Sequence, residues 1–324
     1  MSIFTEFLGL TNKEAYEHAF LHRFLLRTPK HQNEFLGNTQ RADFLPYLKK
    51  QLQQLPPHSQ ILDVGAGAGE IVEFALSELD TTIHLEEPNE IFLKQYIQRI
   101  SNYKNLKLGE VYHNKLQELY FRNEIENKLA ANMDLILSIH MLYHLTDFTS
   151  IKANPETDLI EAIQFMYSLL KPGASIFLVY ANNAISAVGK ATISAYLGIN
   201  AEYAQVIQQI YETRNRLLLE KEIIGFLDET ETIQPKIVAI CQASAMYGST
   251  LEDLAAMCLI SELIPANDEL FDINKLYFSY NYLRSNPQDI GLCQEERDIY
   301  QKGMYRVNQP QVICIIKKEF KNNV

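Results

Sequence analysis

Gln60-Ile61-Leu62-Asp63-Val64 runs directly into Gly65-Ala66-Gly67-Ala68-Gly69-Glu70, and this stretch decides the fold. A short apolar run stopped abruptly by glycines fits a buried parallel strand, covered on both faces and therefore continuously rather than alternately hydrophobic. Ile71, Phe74, Ala75 and Leu76 follow at helical spacing, which makes the glycines the turn between a strand and a helix.

The alternation continues downstream. Thr82 to Leu85 reads as a second strand ending at Glu86-Glu87-Pro88, with Pro88 opening a helix whose buried stripe is Leu93, Tyr96, Ile97 and Ile100. Leu106 to Leu108 is a weaker third strand, and Met133 to Ile139 a clear fourth that ends at His140-Met141-Leu142-Tyr143-His144. Leu159, Ala162, Ile163, Met166, Leu169 and Leu170 define a helix stopped by Lys171-Pro172-Gly173, and Ser175 to Tyr180 reads as the fifth strand. Such alternation implies an α/β, Rossmann-like, doubly wound and mostly parallel sheet, here with a smaller α-rich lid for the substrate.

Upstream, Lys13 to Arg27 reads as an amphipathic helix broken by Pro29, and Arg41 to Leu55 as a second helix ended by Pro56-Pro57. Beyond Asn183 the pattern loosens. Tyr203 to Ile224 reads as one long helix or two, Lys236 to Cys241 as a strand, Leu251 to Ile264 as a helix and Val312 to Ile316 as a strand returning to the sheet. The expected organisation is N-terminal lid helices over 1–55, a core over 56–183, a lid insertion with late core elements over 184–303 and a final strand within 304–324.

With 324 residues, 47% hydrophobic and 21% charged, the chain can bury a full core. A net charge of −11 makes nucleic acid and anionic membranes poor partners. Cys241, Cys258, Cys293 and Cys314 form no C-x-x-C pair, so they read as reduced structural thiols and no metal site is expected. The N-terminus lacks the basic start and apolar core of a signal peptide, and no long unbroken apolar run follows. A cytoplasmic protein is the expectation; its oligomeric state is not legible.

A strand ending in closely spaced glycines brings main-chain N–H groups and a helix N-terminus against a ligand. The G-x-G-x-G spacing of Gly65, Gly67 and Gly69 differs from the G-x-G-x-x-G of dinucleotide-binding enzymes and favours S-adenosylmethionine over a nicotinamide cofactor. Asp63, Gly65, Ala66, Gly67 and Gly69 are expected around it. Glu87, with Pro88 beside it, is placed to accept hydrogen bonds from both ribose hydroxyls, and Ser138 and Ile139 form a third corner at the end of the fourth strand. Glu86 and Glu87 also read as an acidic helix start. His140 and His144 flank Tyr143 and either take a proton from a nucleophile or serve as structural hydrogen-bonding residues. Tyr143 and Tyr180 read as pocket walls or as packing.

Ile61 to Ile71, the Glu87-Pro88 step and the run Ile139-His140-Met141-Leu142-Tyr143-His144 together resemble the histamine N-methyltransferases. Phe24-Leu25 followed by His31-Gln32 and Glu34-Phe35 looks like that family's N-terminal helix and turn, and Asn308 looks like its C-terminal asparagine. The stretch from about Ala191 to Gly303 is poorly matched. The resemblance implies a methyltransferase of the S-adenosylmethionine class acting on a small molecule, with N-methylation of an amine or imidazole-like acceptor. It carries the acceptor-binding positions onto Lys30, His140 and Asn308, with Tyr143 beside them, and makes His140, Tyr143 and His144 the catalytic candidates. The chain departs from the family at Lys30, where a carboxylate is expected, at His144, where an aromatic is expected, and in having no tryptophan for the pocket wall after the fifth strand. Ala181-Asn182-Asn183 and Tyr196 occupy that region of sequence. Lys30 fits a substrate carboxylate or a solvated surface position. An O-methyltransferase, a non-catalytic cofactor-binding sensor or partner protein and, more distantly, a nicotinamide oxidoreductase are the alternatives.

Overall fold

A computed structural model describes residues 2–24, 40–121, 128–146, 154–261, 268–297 and 301–321. Its frame is a seven-stranded sheet in the order β3-β2-β1-β4-β5-β10-β6. The strands are β1 (Ser59–Val64), β2 (Thr81–Glu86), β3 (Leu106–Tyr112), β4 (Met133–Ile139), β5 (Leu170–Ala181), β6 (Ile233–Gln242) and β10 (Gln311–Phe320). β1 pairs in parallel with both β2 and β4, so the strand order reverses beside it and opens a crevice at its carboxyl end. β10 runs antiparallel between β5 and β6.

The period-two backbone divides the sheet into two cores. One face carries Ile61, Ile83, Leu85, Leu135, Leu137, Phe177 and Ile313. These pack against α3 (Gln40–Leu52) and α4 (Glu90–Ser101). The other face carries Leu62, Ile136, Ile176, Leu178 and Cys314 against α5 (Leu116–Phe121) and α6 (Pro155–Leu169). Helices on both faces make this the mostly parallel, doubly wound Rossmann-like fold.

A third core joins α1 (Ile3–Phe7) and α2 (Asn12–Ala19) to α7 (Ala187–Ile199), α9 (Leu251–Cys258) and α10 (Ile273–Ser285). α8 (Ala201–Arg214) follows α7. This region is not wholly helical: β7 (Ala245–Gly248), β9 (Gln301–Asn308) and β8 (Cys293–Arg297) form a second, antiparallel sheet.

Local signals explain several departures from the sequence reading. Thr11 and Glu14 form a capping box that starts α2, but after Ala19 the helix widens into a π-turn over Phe20–Phe24. Pro88 does not open α4; the Asn89 side chain accepts from the N–H groups of Ile91 and Phe92 and caps a helix that starts at Glu90. Lys171-Pro172-Gly173 lies inside β5 rather than before it. The β4–β5 register jumps from Met133↔Leu170 to Leu135↔Ser175, and this irregularity accommodates a proline that has no N–H to donate. The Tyr203–Ile224 pattern resolves into α8, a π-turn over Asn215–Leu219 and a short 3-10 turn. The helix expected to Ile264 is α9 plus a 3-10 turn to Ser261, and 262–264 lie outside the described residues. Among the described residues no helix is long and apolar enough to cross a membrane.

Candidate functional site

The turn after β1 sits at the strand-order reversal, and its conformation is one that side chains resist. Gly65, Gly67 and Gly69 have φ values of 62°, 59° and 79°. A Cβ at Gly65 would collide with the Met141 side chain, so this glycine lets the turn lie against the loop after β4. At Gly67 a Cβ would meet nothing within 4 Å, and the main chain there faces open space. Gly69 lies against the Tyr96 ring.

Buried carboxyls surround this turn. The Gly65 N–H donates to Glu86 Oε2 at 2.8 Å and the Gly67 N–H to Glu87 Oε2 at 2.7 Å, while Glu87 Oε1 accepts from the Asn89 N–H at 2.7 Å. The Ala66 N–H donates to the Glu86 carbonyl. Asp63 Oδ2 accepts from the Tyr96 hydroxyl at 2.8 Å. Burial pushes Asp63 up to about 7, Glu86 to about 8 and Glu87 to about 7, and mutual repulsion adds to the shifts of Asp63 and Glu86. Among the described residues no lysine or arginine pairs with the three, so the pocket favours a cationic guest. Ser138, fully buried at the end of β4, has an Oγ with no hydrogen-bond partner, and one buried oxygen of Glu70 is in the same position.

An open main-chain cradle beside buried carboxylates suits S-adenosylmethionine, whose sulfonium and ammonium are positive and whose ribose offers two hydroxyl donors. Glu87 uses one lone pair on each oxygen within the protein, and a carboxylate has about four acceptor positions.

Beyond β4 the chain turns sharply at His140, a non-glycine residue at φ 59° whose N–H donates to the Val179 carbonyl at 2.7 Å. The Ala181 N–H donates to the Tyr143 hydroxyl oxygen. The same hydroxyl shares a hydrogen bond of 2.8 Å with His140 Nδ1, in which the imidazole tautomer sets the donor. Burial depresses both His140 and His144 to about 4, with the nearby charges of Arg214 and Lys115 adding to the His144 shift. Both rings are neutral at pH 7.

Two contributors come from sequence-distant helices and were not singled out by motif. Tyr16 of α2 packs edge-on to His144 at 5.8 Å between ring centres, and its hydroxyl is pushed above its ordinary value by burial and then by the charge of Glu87. Arg214, the last residue of α8, places its guanidinium carbon 4.9 Å from the Tyr143 ring centre, 5.7 Å from Tyr180 and 5.9 Å from Tyr211. A tyrosine on the buried stripe of a short helix or an arginine at a helix end carries no motif, so only contact reveals them.

The structure brings Asp63, Gly65, Ala66, Gly67, Gly69, Glu87, Pro88, Ser138 and Ile139 to the carboxyl ends of β1, β2 and β4, with His140, Tyr143 and His144 next to them. Tyr180 is buried against Arg214 and Asn215, and Asn182 accepts from Asn215 Nδ2 at 2.8 Å. Tyr196 lies apart, packed in a small cluster with Ala204, Ile207 and Tyr211. Asn308 ends β9 with an exposed side chain that sits over Gly291 and accepts from Arg306 at 3.2 Å. Lys30 lies outside the described residues.

The family described as methyltransferase domain matches residues 35–221, more than half of the chain. No curated protein matches significantly. Similar solved structures include phosphoethanolamine N-methyltransferase 2 of Haemonchus contortus in complex with S-adenosyl-L-methionine. It is 16% identical, and the match covers 94% of this chain and 56% of that one at a TM-score of 0.44. A Galdieria sulphuraria protein assigned as a sarcosine dimethylglycine methyltransferase is 14% identical, with 95% of this chain and 99% of that one covered at 0.46. The plantazolicin methyltransferase BamL, in complex with a substrate analogue and S-adenosylhomocysteine, is 12% identical, with 95% of each chain covered at 0.41.

Proposed function

The chain belongs to the methyltransferase-domain family and is an S-adenosylmethionine-dependent methyltransferase, and from that premise we propose that it methylates a nitrogen of a small molecule, an amine or imidazole-like acceptor. The observation that supports the cofactor's position is the open, positive-φ main chain at Gly67 next to the buried carboxylate of Glu87. In this reading Gly65, Ala66, Gly67 and Gly69 cradle the cofactor, Glu87 accepts from its ribose, and Asp63, Pro88, Ser138 and Ile139 line its remaining edges. The bound cofactor supplies a methyl group on a sulfonium, already activated toward a lone pair.

The protein's own work is then placement and exclusion of water. His140, Tyr143 and His144 form the acceptor side of the pocket. With Nδ1 occupied by the Tyr143 hydroxyl and its ring held to about 4, His140 orients Tyr143 rather than accepting a proton at neutrality. The acceptor nitrogen therefore attacks as the free base, and its proton leaves to water. Lys30 and Asn308 belong to the acceptor side by the resemblance to histamine N-methyltransferases, which also supports nitrogen over oxygen. The first helices of 1–55 and the insertion of 184–303 contribute the lid over the 56–183 core, although α3 and β6 within those spans belong to the core, and the final strand of 304–324 completes the sheet. Four free cysteines suit a reducing cytoplasmic setting.

Calorimetric titration with S-adenosylmethionine tests the assignment. Wild type binds, and Glu87→Ala and Gly67→Val each weaken binding at least about tenfold, the equivalent of about 1.4 kcal/mol. Wild-type affinity in Glu87→Ala moves the cofactor elsewhere. Labelled methyl transfer to matched amines, imidazoles and alcohols then decides between nitrogen and oxygen.

A further inference from the structure

Arg214 is 2% exposed. Ring faces attract a cation but carry no net charge, so three tyrosines leave a buried guanidinium uncompensated. Arg41 likewise lies over an aromatic ring, that of Phe74, but other arginines of this fold have carboxylate partners. Arg23 pairs with Glu6 and Asp253, and Arg216, two residues beyond Arg214, pairs with Glu156 and Glu222. Among the described residues no carboxylate and no hydrogen-bond acceptor engages the Arg214 guanidinium; the groups whose electrostatics oppose its deprotonation are Tyr143, Tyr211 and Tyr180.

Its position is equally specific. Tyr143 holds His140 through its hydroxyl and faces Arg214 with its ring, and His144 feels the Arg214 charge. These residues follow β4, at the strand ends where ligands lie in open α/β sheets. The strand ends are thus bipolar, with Asp63, Glu86 and Glu87 at the glycine turn and, on the Tyr143 side, a cation that no described carboxylate pairs. A guest with an amine at one end and a negative group at the other matches both poles.

We propose that Arg214 receives an oxyanion of the methyl acceptor, a carboxylate or a phosphate, so that the acceptor is an amine that also bears a negative charge. This rests on the reading of the pocket as a methyl-transfer site. A guanidinium presents parallel N–H donors that match either oxyanion in a two-point contact.

Thermal melts of the protein, with and without S-adenosylhomocysteine, are run in acetate, inorganic phosphate and chloride at equal ionic strength. Acetate or phosphate raises the wild-type midpoint beyond chloride, and the one that does so identifies the group. Arg214→Gln abolishes that rise, while Arg214→Lys keeps the charge and shifts the half-maximal concentration upward by about tenfold. No rise in wild type beyond chloride, or an equal rise in Arg214→Gln, overturns the proposal. Should Arg214→Gln fail to fold, an unshifted response in Arg214→Lys overturns it. Absent calorimetric binding of S-adenosylmethionine defeats the methyl-transfer reading instead and leaves the anion response to be read by itself.

Discussion

Tyr143 ties three parts of the molecule together through one hydroxyl oxygen. It accepts from the Ala181 N–H of β5, shares a hydrogen bond with His140 Nδ1, and its ring faces Arg214 from α8. Tyr143→Phe preserves the ring but strands a buried N–H, which costs about 1–3 kcal/mol. Urea unfolding measures this; a midpoint unchanged from wild type shows that the hydroxyl is dispensable to the fold. The residues legible in the sequence were those within a few positions of a motif, such as Gly67, Glu87 and Tyr143. Arg214 was not, because a buried cation is recognised by what fails to surround it, and that is a property of packing.

At the scale of the element, the start of α4 serves both the helix and the site. The Asn89 side chain caps the helix and donates to Glu17 of α2 at 2.9 Å, while its main-chain N–H holds Glu87. Asn89→Ala removes the cap and the interhelix contact but keeps the N–H. It is expected to cost about 0.5–2 kcal/mol of stability in a thermal melt. Cofactor affinity falls far less than in Glu87→Ala, and an equal fall would show that the cap itself shapes the pocket. The strand-end prolines show how local punctuation can mislead. Pro88 and Pro172 both read as boundaries, yet a neighbouring cap and a register shift placed the actual boundaries elsewhere.

Two sets of buried titratable groups oppose each other across the whole molecule. Asp63, Glu86 and Glu87 have folded values of about 7 to 8, above their unfolded values of about 4. The folded state therefore binds more protons, and the contribution present at low pH is lost as pH rises through 7 to 8. His140 and His144 have folded values of about 4, below the unfolded 6.5, so their contribution is lost as pH falls below the unfolded value. Tyr16, Tyr96 and Glu70 face the carboxyl cluster, and Arg214 and Lys115 face His144. Three carboxyls outweigh two histidines, so the ligand-free protein is expected to lose stability only slowly from about pH 4.5 to 6.5, where the two sets largely offset, and steeply from about pH 6.5 to 8 in calorimetric scans. Glu86→Gln makes the fall between about pH 6.5 and 8 shallower, and an unaltered fall in that variant removes Glu86 as a cause. A cationic cofactor also binds more tightly as the cluster ionises, so affinity rises from about pH 6 to 8.

The amino-acid sequence by itself determined the parallel sheet, the glycine turn, the acidic end of β2 and the motif after β4. Each is a short-range pattern, a strand or helix period interrupted by glycine, that local backbone sterics enforce wherever it occurs. Only the tertiary structure decided that β10 inserts antiparallel between β5 and β6, that β7, β8 and β9 form a second sheet, and that Tyr16 packs on His144 while Arg214 packs on Tyr143. Those contacts join residues far apart in the chain, and their selection depends on the burial of whole faces rather than on the sequence of any one segment.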